Sequence, residues 1–361
     1  TPPDGEERRV PLCEVELELL GTGSTDALFD LAINLAGEIH LHPEIQSKAE
    51  RGYALAEGTE PGAAKGLLSP LTAGMTPVEA FRAIALACLV QLQRNEAGVL
   101  RGEHPEFVHQ ARVAIRRLRT AFKLFAPVLA PEFVAVYSPR WRELARRLGG
   151  VRDWDVFLIE TLQPLEAAFP GDPDLVFLRA QAEAQQALAR QRAVAALGDE
   201  EYSRLVLAFC AALLRAVPAT IARAELAEKY RTLDAADFMR RRLRRQGKDI
   251  AALVQDHEQL GLEQRHALRI AFKRLRYTLE FAAPLLPRKR YAAYLGALVA
   301  LQDVLGRIND HATAARLIKS IHPHGEPQPL TRGWIAGRLP FLLAESNAEL
   351  QRFLACRAPW R

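Results

Sequence analysis

One segment of the 361-residue chain occurs twice, and this internal repeat constrains the fold more than any other feature. Residues 109–125 read HQARVAIRRLRTAFKLF, and residues 266–281 read HALRIAFKRLRYTLEF. The distance from His109 to His266, 157 residues, aligns the two copies throughout. The same offset continues outside the segment, since it aligns Phe81 with Phe238. The repeated unit therefore contains several consecutive elements, and the chain is expected to form two related bundles.

Each copy of the segment predicts an amphipathic helix with a basic face. The residues mostly favour a helix, and neither Gly nor Pro occurs between His109 and Ala126. At about 100° per residue, one histidine and several cations share one side of the helix. In the first copy these residues, which we call the first row, are His109, Arg112, Arg116, Arg119 and Lys123. In the second copy they form the second row, which consists of His266, Arg269, Lys273 and Arg276. Apolar residues occupy the opposite side and are expected to face a core.

The charge pattern of the first copy predicts an anion-binding surface. No Asp or Glu occurs between Phe107 and Pro131, whereas a solvated helix face usually alternates charges. Such a row repels itself unless an anion lies on it. Arginine offers a planar fork of donors that fits phosphate oxygens, and histidine can gain charge near neutral pH. The pattern therefore favours a polymer with a charge on every unit over a small single-charge ligand.

The composition narrows the classes of function. The net charge of +5 is modest, so the basic residues matter through their clustering. Four scattered cysteines indicate a reducing compartment without a disulfide framework or a metal site. The longest apolar runs are too short to cross a bilayer. We therefore expect a cytoplasmic protein without a membrane-spanning segment or a cysteine-based metal site.

The predicted architecture is all-α, with two helical bundles related by a pseudo-twofold axis and a small α/β segment at the N-terminus. The predicted boundaries are residues 1–57 for that segment, 58–74 for a linker, about 75–230 for the first repeat and about 232–361 for the second. Thr76 and Pro77 predict the start of a helix that runs to about Leu100. Further helices are predicted at residues 132–148, 151–169, 173–197, 200–217, 219–230 and 330–357, with a break at Gly149-Gly150.

The first 57 residues carry a different pattern. Val10–Leu20 alternates apolar and acidic residues and predicts a strand, whereas Asp26–Leu35 predicts a short helix capped by Ser24 or Thr25. Glu44–Leu55 is expected to form another strand or an extended segment. The EVELE and SKAERGY motifs resemble the C-terminal end of a CYTH domain, the triphosphate tunnel fold. That resemblance implies a metal- or triphosphate-holding role for Glu14, Glu16, Glu18, Lys48 and Arg51. Too few strands remain to close a barrel, so catalysis is not expected from this chain alone.

The doubled helix motif resembles the CHAD domain, the conserved-histidine α-helical domain. The first copy reads HxxRxxxRRLR, the second has lysine at the eighth position, and each is followed by LGxxxDxxx. The resemblance implies a pair of helical bundles whose basic surface binds inorganic polyphosphate through the histidines and cations named above, without a cofactor. The second copy departs from the LGxxRDxDV pattern, because Asn309 replaces Arg152 and Ala312 replaces Asp155.

The second copy also carries a basic cluster of its own. Its members are Arg241, Arg244, Arg245 and Lys248, at helical spacing, and their counterparts in the first copy are uncharged. The cluster is either part of the binding surface or a solvated face. If it faces the second row, the second half is expected to bind a polyanion first. Asp153 and Asp310 are expected to orient a row arginine or to cap a helix.

Two other classes of function remain as alternatives. An accessory role in a triphosphate- or polyphosphate-processing enzyme is possible for such a module, although the rows lack the carboxylate-held metal or glycine-rich loop of phosphoryl transfer. A nucleic-acid-binding module would interleave aromatic residues for base stacking, but Phe122, Phe125 and Phe272 fall on the apolar side. The sequence therefore favours a polyphosphate-binding module that acts in targeting or scaffolding, with polyphosphate granules as an expected location.

Overall fold

A computed structural model of the chain describes residues 9–59, 62–67, 70–215, 221–222, 233–255, 260–321 and 329–360. Within these residues the regular structure is helical and no strand occurs, which confirms the predicted all-α class. The helices are α1 (Thr25–Glu38), α2 (Lys48–Glu57), α3 (Pro77–Arg101), α4 (Pro105–Phe125), α5 (Pro131–Arg147), α6 (Gly149–Val156), α7 (Gln163–Ala168), α8 (Pro173–Leu197), α9 (Glu200–Leu214), α10 (Ala235–Leu253), α11 (Leu262–Ala282), α12 (Arg288–Ile321) and α13 (Pro329–Ala355).

The chain forms two compact units, and each unit contains one copy of the repeated helix. The first unit consists of Thr1–Leu67, Phe81–Leu148 and Arg192–Glu228, and it includes α4. The second consists of Leu68–Ala80, Gly149–Gln191 and Lys229–Arg361, and it includes α11. None of the helices in the described ranges combines the length and the apolar character that a membrane crossing needs.

The core of the first unit is an aromatic cluster that holds the apolar side of α4. Phe122 and Phe125 of α4 are each no more than 2% exposed. The ring centroids of Phe81 and Phe122 lie 5.3 Å apart, edge to face, and those of Phe122 and Phe209 lie 5.9 Å apart. Such aromatic pairs add to the free energy gained by burying their area. The buried face fixes the rotation of α4 and so leaves its basic face outside the core.

The strand predicted at Val10–Leu20 is absent. Residues 9–20 have no regular structure, and Val10, Leu12 and Val15 are more than half exposed. An alternating segment becomes a strand only when a neighbouring strand supplies hydrogen-bond partners, and the described residues contain none. The helix predicted at Asp26–Leu35 is confirmed as α1, and the Ser24 hydroxyl accepts from the Asp26 N–H at 3.1 Å.

The second extended segment, predicted at Glu44–Leu55, is also wrong in part. Helix α2 begins at Lys48, after a capping box in which Ser47 and Glu50 exchange hydrogen bonds. The Ser47 N–H donates to Glu50 at 2.9 Å, and the Glu50 N–H donates to the Ser47 hydroxyl at 3.1 Å. A Ser-x-x-Glu sequence is a known start signal for helices. The sequence therefore contained the signal for this helix.

Residues 62–67, which we call the strap, lie in the predicted linker and are bound to α3 and α4. The Ala64 N–H donates to Asn95 Oδ1 at 3.0 Å, and Asn95 Nδ2 donates to the Ala64 carbonyl at 2.9 Å. Arg117 of α4 donates to the Leu67 carbonyl at 3.2 Å. A methyl group on Gly66 would lie 1.5 Å from Arg117 Nη1. The strap therefore depends on the absence of a side chain at Gly66.

In the second unit, α11 packs against α10 and α12, and α12 packs against α13. Phe353 of α13 contacts both Phe272 and Tyr294, with ring centroids 5.0 and 4.9 Å away. Phe272 is fully buried and belongs to the apolar side of α11. As in α4, the core contacts of α11 therefore separate a buried apolar side from an outward side.

The helix predicted at residues 151–169 is interrupted by a wider turn. The break predicted at Gly149-Gly150 lies one residue earlier, at Leu148, because α5 ends at Arg147 and both glycines belong to the first turn of α6. Phe157–Leu162 then form a π-helical turn before α7. Pro164 cannot donate a backbone hydrogen bond, and the Gln163 N–H reaches back to the Leu158 carbonyl.

The later helices follow the sequence closely where the structure describes them. Helix α8 has the predicted bounds, Pro173–Leu197, and α13 begins one residue before the predicted start. Helix α9 ends at Leu214, three residues before the predicted end. The helix predicted at residues 219–230 lies almost entirely outside the described residues.

Candidate functional site

The first basic row lies along the outward side of α4. Pro105 occupies the first turn, and His104 caps the helix by accepting from the Glu106 N–H at 3.2 Å. Four members of the row are half-buried and Lys123 is exposed. The half-buried members are His109, Arg112, Arg116 and Arg119. Burial in this row is not confined to the apolar stems, because Nε and Nη1 of the Arg112 guanidinium are buried as well.

Arg117 stands beside this row but has a different role. It is only 7% exposed, and its guanidinium donates to Gln91 Oε1 and to the Leu67 carbonyl, each at 3.2 Å. Gln91 donates in turn to Gln110 Oε1 at 3.1 Å. Arg117 therefore joins α4 to α3 and to the strap. Its counterpart in the second copy, Arg274, is exposed.

The second row lies on α11, and a buried arginine anchors the start of this helix. Arg265 is 4% exposed and bonds Asn347 Oδ1 at 2.8 Å and the Leu260 carbonyl at 3.0 Å. Burial lowers the pKa of the Arg265 guanidinium. The next residue, His266, is exposed, and the row then continues with the half-buried side chains of Arg269, Lys273 and Arg276.

The motif after the second row orients its histidine. His266 Nδ1 lies 3.1 Å from Asn309 Oδ1, and Asn309 Nδ2 donates to Asp310 Oδ1 at 3.4 Å. The contact with Asp310 favours this orientation of the amide, and Asn309 Oδ1 accepts a hydrogen bond when His266 Nδ1 carries a proton. His266 Nε2 is then the ring nitrogen directed away from this chain of bonds, where it can meet a ligand. Nearby, burial and the charge of Arg338 lower the pKa of His311.

The two rows end with opposite charges. The counterpart of Lys123 is Glu280, which accepts from Arg276 Nε at 2.8 Å. Arg276 also donates to Gln302 Oε1 at 3.4 Å. The last arginine of the second row is therefore engaged by a carboxylate of the same helix. Sequence reasoning missed this difference, although the 157-residue offset aligns Lys123 with Glu280.

The basic cluster of the second copy is spread over the outer surface of α10. Arg241, Arg244, Arg245 and Lys248 are outside the core, and Arg244 lines a cavity with Arg240. Helix α10 packs against α11 through other residues, for example a 3.1 Å hydrogen bond from Gln246 to Thr278. The outward positions agree with either of the two interpretations of this cluster.

Two carboxylates of the LGxxRDxDV pattern bind side chains of neighbouring helices. Asp153 accepts from Arg316 of α12 at 3.2 Å. Asp155 is fully buried and accepts from Gln186 of α8 at 2.6 Å. These contacts join α6 to α12 and α8 within the second unit.

The N-terminal charged residues bind one another. Lys48 Nζ lies 3.1 Å from Glu14 and 2.9 Å from Glu16, and Arg51 also bonds Glu14. The Arg51 guanidinium lowers the pKa of the Glu14 carboxyl. Glu18 is exposed. These residues do come together, but their opposite charges are paired within a segment that forms no strand.

Metal-binding clusters and cysteine thiols are the remaining candidates for site chemistry in the part of the chain that the structure describes. No three histidine, cysteine or carboxylate side chains within it lie close enough to hold a metal ion. Burial raises the pKa of Cys88 to about 12 and that of Cys210 to about 11, so both thiols stay protonated at neutral pH.

The repeated histidine-basic helix and its LGxxxD motif decide the family. The CHAD domain family profile matches residues 83–319, which is more than half of the chain and includes both rows. The chain belongs to the CHAD domain family. Among solved structures, the CHAD domain from the plant Ricinus communis is 32% identical, with a TM-score of 0.64 over 82% of this chain and 98% of that one.

A second structure supports the CHAD fold at a greater distance. PptA from Streptomyces chartreusis is 17% identical and has a TM-score of 0.56 over 78% of this chain and 99% of that one. At this identity the likeness extends to the fold alone. Among curated proteins, none matches the chain.

Proposed function

We propose that this CHAD domain protein binds inorganic polyphosphate through the row on α4 and the row on α11. The observation that carries the proposal is the unbroken cation row of α4, where one histidine and four cations share the side opposite the core and no carboxylate intervenes. A polyanion with one charge per unit can contact such a row at many points. Each contact releases counterions, and the binding energy is therefore salt-dependent.

The oriented histidine supports the same proposal. His266 keeps Nδ1 on Asn309, and its Nε2 can donate to a phosphate oxygen when the ring is protonated. Arginine and lysine at helical intervals on the same side then supply further donors. The arrangement offers a line of donors instead of one enclosed pocket.

The positions of the aromatic residues favour a polymer without bases. Phe122, Phe125 and Phe272 are no more than 2% exposed, so they cannot stack with bases beside the rows. We therefore favour polyphosphate over single-stranded nucleic acid as the ligand. The role that follows is targeting or scaffolding at polyphosphate, for which granules are the expected location, or accessory binding for a polyphosphate-processing enzyme.

The deciding experiment compares long polyphosphate, single-stranded DNA and ATP in parallel titrations at two salt concentrations. We expect polyphosphate to bind tightest, with an affinity that falls as salt rises, and ATP to bind poorly because it cannot span a row. Tighter binding of DNA, or an affinity for polyphosphate that salt leaves unchanged, would contradict the proposal.

A matched control separates the rows from general surface charge. Arg288→Gln, Lys289→Gln and Arg290→Gln together remove three exposed charges from the start of α12, away from either row in sequence. We expect this variant to bind polyphosphate almost as the original chain does. The row variant for comparison carries Arg112→Ala, Arg116→Ala and Arg119→Ala. An equal loss in the two variants would mean that net charge alone determines binding.

The N-terminal segment is proposed, on the resemblance alone, to be the end of a CYTH-like domain. Its Lys48 and Arg51 are paired with glutamates, so we expect no hydrolysis of tripolyphosphate by this chain. The measurement is phosphate release with added magnesium or manganese. Release above the buffer control would show that the segment is catalytic.

A further inference from the structure

The second unit contains a cavity of about 880 Å³ that neither row uses. Its walls come from residues 71–73, the start of α10, the turn between α11 and α12, and the C-terminal Pro359 and Trp360. The volume falls within the range of about 300–1,000 Å³ that is usual for small-molecule sites. All of the lining residues belong to the same unit.

Contacts within the unit hold two of the cavity walls in place. The Ala235 N–H donates to the Met75 carbonyl at 2.8 Å, which ties the segment before α3 to the start of α10. Trp360 is 6% exposed, and its ring meets Tyr294 edge to face with centroids 5.2 Å apart. A methyl group on Gly247 would lie 3.0 Å from Trp360 Cζ2, so the indole rests directly on α10. The cavity is therefore largely preformed.

The charged groups of the lining all have the same sign. Arg240 and Arg244 are exposed and lie one helical turn apart on α10, where like charges repel each other. No carboxylate belongs to the lining that the described residues form. Arg240 does pair with Asp237 at 2.6 Å, just outside the cavity, whereas Arg244 makes no ion pair within the described residues. An anion between the two guanidinium groups would relieve their repulsion.

The rest of the wall is apolar apart from Thr72. Pro284, Pro287 and Pro359 have no backbone N–H, so they offer surface to a ligand but no amide donor. The cavity thus combines a cationic edge with an apolar body. A bare polyphosphate has no apolar part and would leave most of this wall unused.

We propose that the cavity binds a small organic anion, which has a flat apolar body and one phosphate or carboxylate group. The acidic group lies between Arg240 and Arg244, and the apolar body lies against the prolines and Trp360. This site is distinct from the two rows and takes a different class of ligand. Arg244 belongs to the basic cluster in the sequence, and in this proposal it binds the acidic group of the ligand in the cavity.

Calorimetric titration of the full chain at one fixed salt concentration tests the proposal with four probes. They are 1-naphthyl phosphate, 1-naphthoate, 1-naphthol and inorganic phosphate. We expect at least one of the two aryl anions to bind with a stoichiometry of one, and roughly 10-fold or more tighter than naphthol and inorganic phosphate. The tighter of the two aryl anions identifies the acidic group that the site prefers.

Two double variants locate the binding. Arg240→Gln with Arg244→Gln is expected to lower the affinity for the aryl anion about 10-fold, to that of naphthol. Arg241→Gln with Arg245→Gln removes two charges from the same helix outside the lining and is expected to change it less than about twofold. Melting curves check that both variants fold, and Trp360 is left unchanged because it is buried.

Three results would overturn the proposal. These are equal losses from the two double variants, naphthol binding as tightly as the aryl anions, and no saturable binding of either aryl anion. Titration of the same variants with polyphosphate keeps this proposal separate from the function proposed above. If Arg240→Gln with Arg244→Gln weakens polyphosphate binding as much as a row variant does, the cavity belongs to the polyphosphate surface instead.

Discussion

The row on α4 and the row on α11 begin alike and end differently. Each starts with a histidine and continues with cations at the same spacing, but Lys123 extends the first row whereas Glu280 neutralises Arg276 in the second. The equivalent arginines beside the two rows also differ in burial, since Arg117 is buried and Arg274 is exposed. The duplicated motif therefore ends in a cation on α4 and in a carboxylate on α11. The ion pair changes the expectation, drawn from the α10 cluster, that the second half binds first.

The largest expected difference concerns binding. Arg112→Ala, Arg116→Ala and Arg119→Ala together should lower polyphosphate affinity roughly 30-fold, or about 2 kcal/mol, because only the weaker row remains. Arg269→Ala, Lys273→Ala and Arg276→Ala together should cost about fivefold, since Arg276 is already engaged. Titrations at one salt concentration measure both. A greater loss from the second triple would mean that the α10 cluster reinforces the second row.

The second prediction compares the equivalent arginines next to the rows. Arg117→Ala should lower the free energy of unfolding by about 2 kcal/mol, because it leaves Gln91 and the Leu67 carbonyl without their donor. Arg274→Ala should change it by less than about 0.5 kcal/mol, because that side chain is exposed. Urea denaturation of the two variants gives both values. Similar values would show that burial does not distinguish the two arginines.

Exchange of the charges at Lys123 and Glu280 tests whether the ends of the two rows determine their contributions to polyphosphate affinity. Glu280→Lys frees Arg276 and extends the second row, so polyphosphate affinity should rise about threefold. Lys123→Glu should lower it by a similar factor. The double exchange serves as the control and is expected to restore roughly the original affinity. If Glu280→Lys has no effect, Arg276 does not contact the ligand.

The smallest expected effect is a pH dependence of stability that arises within the first unit. Burial raises the pKa of Glu96 even though His42 Nε2 lies 2.7 Å from it, and that contact raises the pKa of His42. Because both pKa values are raised, each group binds its proton more tightly in the folded state than in the unfolded state, and protonation stabilises the fold. Their contribution is therefore present at acidic pH and is lost as pH rises through their folded pKa values.

The second copy supplies the matched variant for this test, because the counterpart of Glu96 is Leu253. The free energy of unfolding of the original chain should fall by roughly 0.5 kcal/mol as pH rises from below 4.5, the ordinary pKa of glutamate, through the raised pKa values of Glu96 and His42, after allowance for solvent screening at the partly exposed His42. Glu96→Leu should remove most of this slope. Denaturation at several pH values measures it, and an unchanged slope would assign the titration to other groups.

Sequence patterns predicted the helical elements well because their signals are local. Pro77 and Pro105 stand in the first turns of α3 and α4, and the period of apolar residues separated Phe122 from the basic row. The prediction of an extended segment at Glu44–Leu55 was wrong for α2, although the Ser47–Glu50 capping box is a local signal. The strand at residues 10–20 failed for another reason, since a strand also requires a partner that lies elsewhere.

The details of the candidate site depend on contacts that no local pattern contains. Burial of Arg117 requires the strap, which lies 50 residues away at Leu67. Orientation of His266 requires Asn309, 43 residues further along the chain. The Arg276–Glu280 pair is local and was available from the helical spacing alone.

The hydrogen bonds of the strap determine what limited proteolysis of this segment would measure. Residues 58–74 have the composition of a flexible tether, where a protease would be expected to cut at once. Cleavage within residues 62–67 instead requires release of the two Asn95 bonds and of the Arg117 bond to Leu67. When opening is rapid compared with cutting, the rate of nicking there follows the population of the opened state. The strap then acts as a built-in reporter on the packing of α3 against α4.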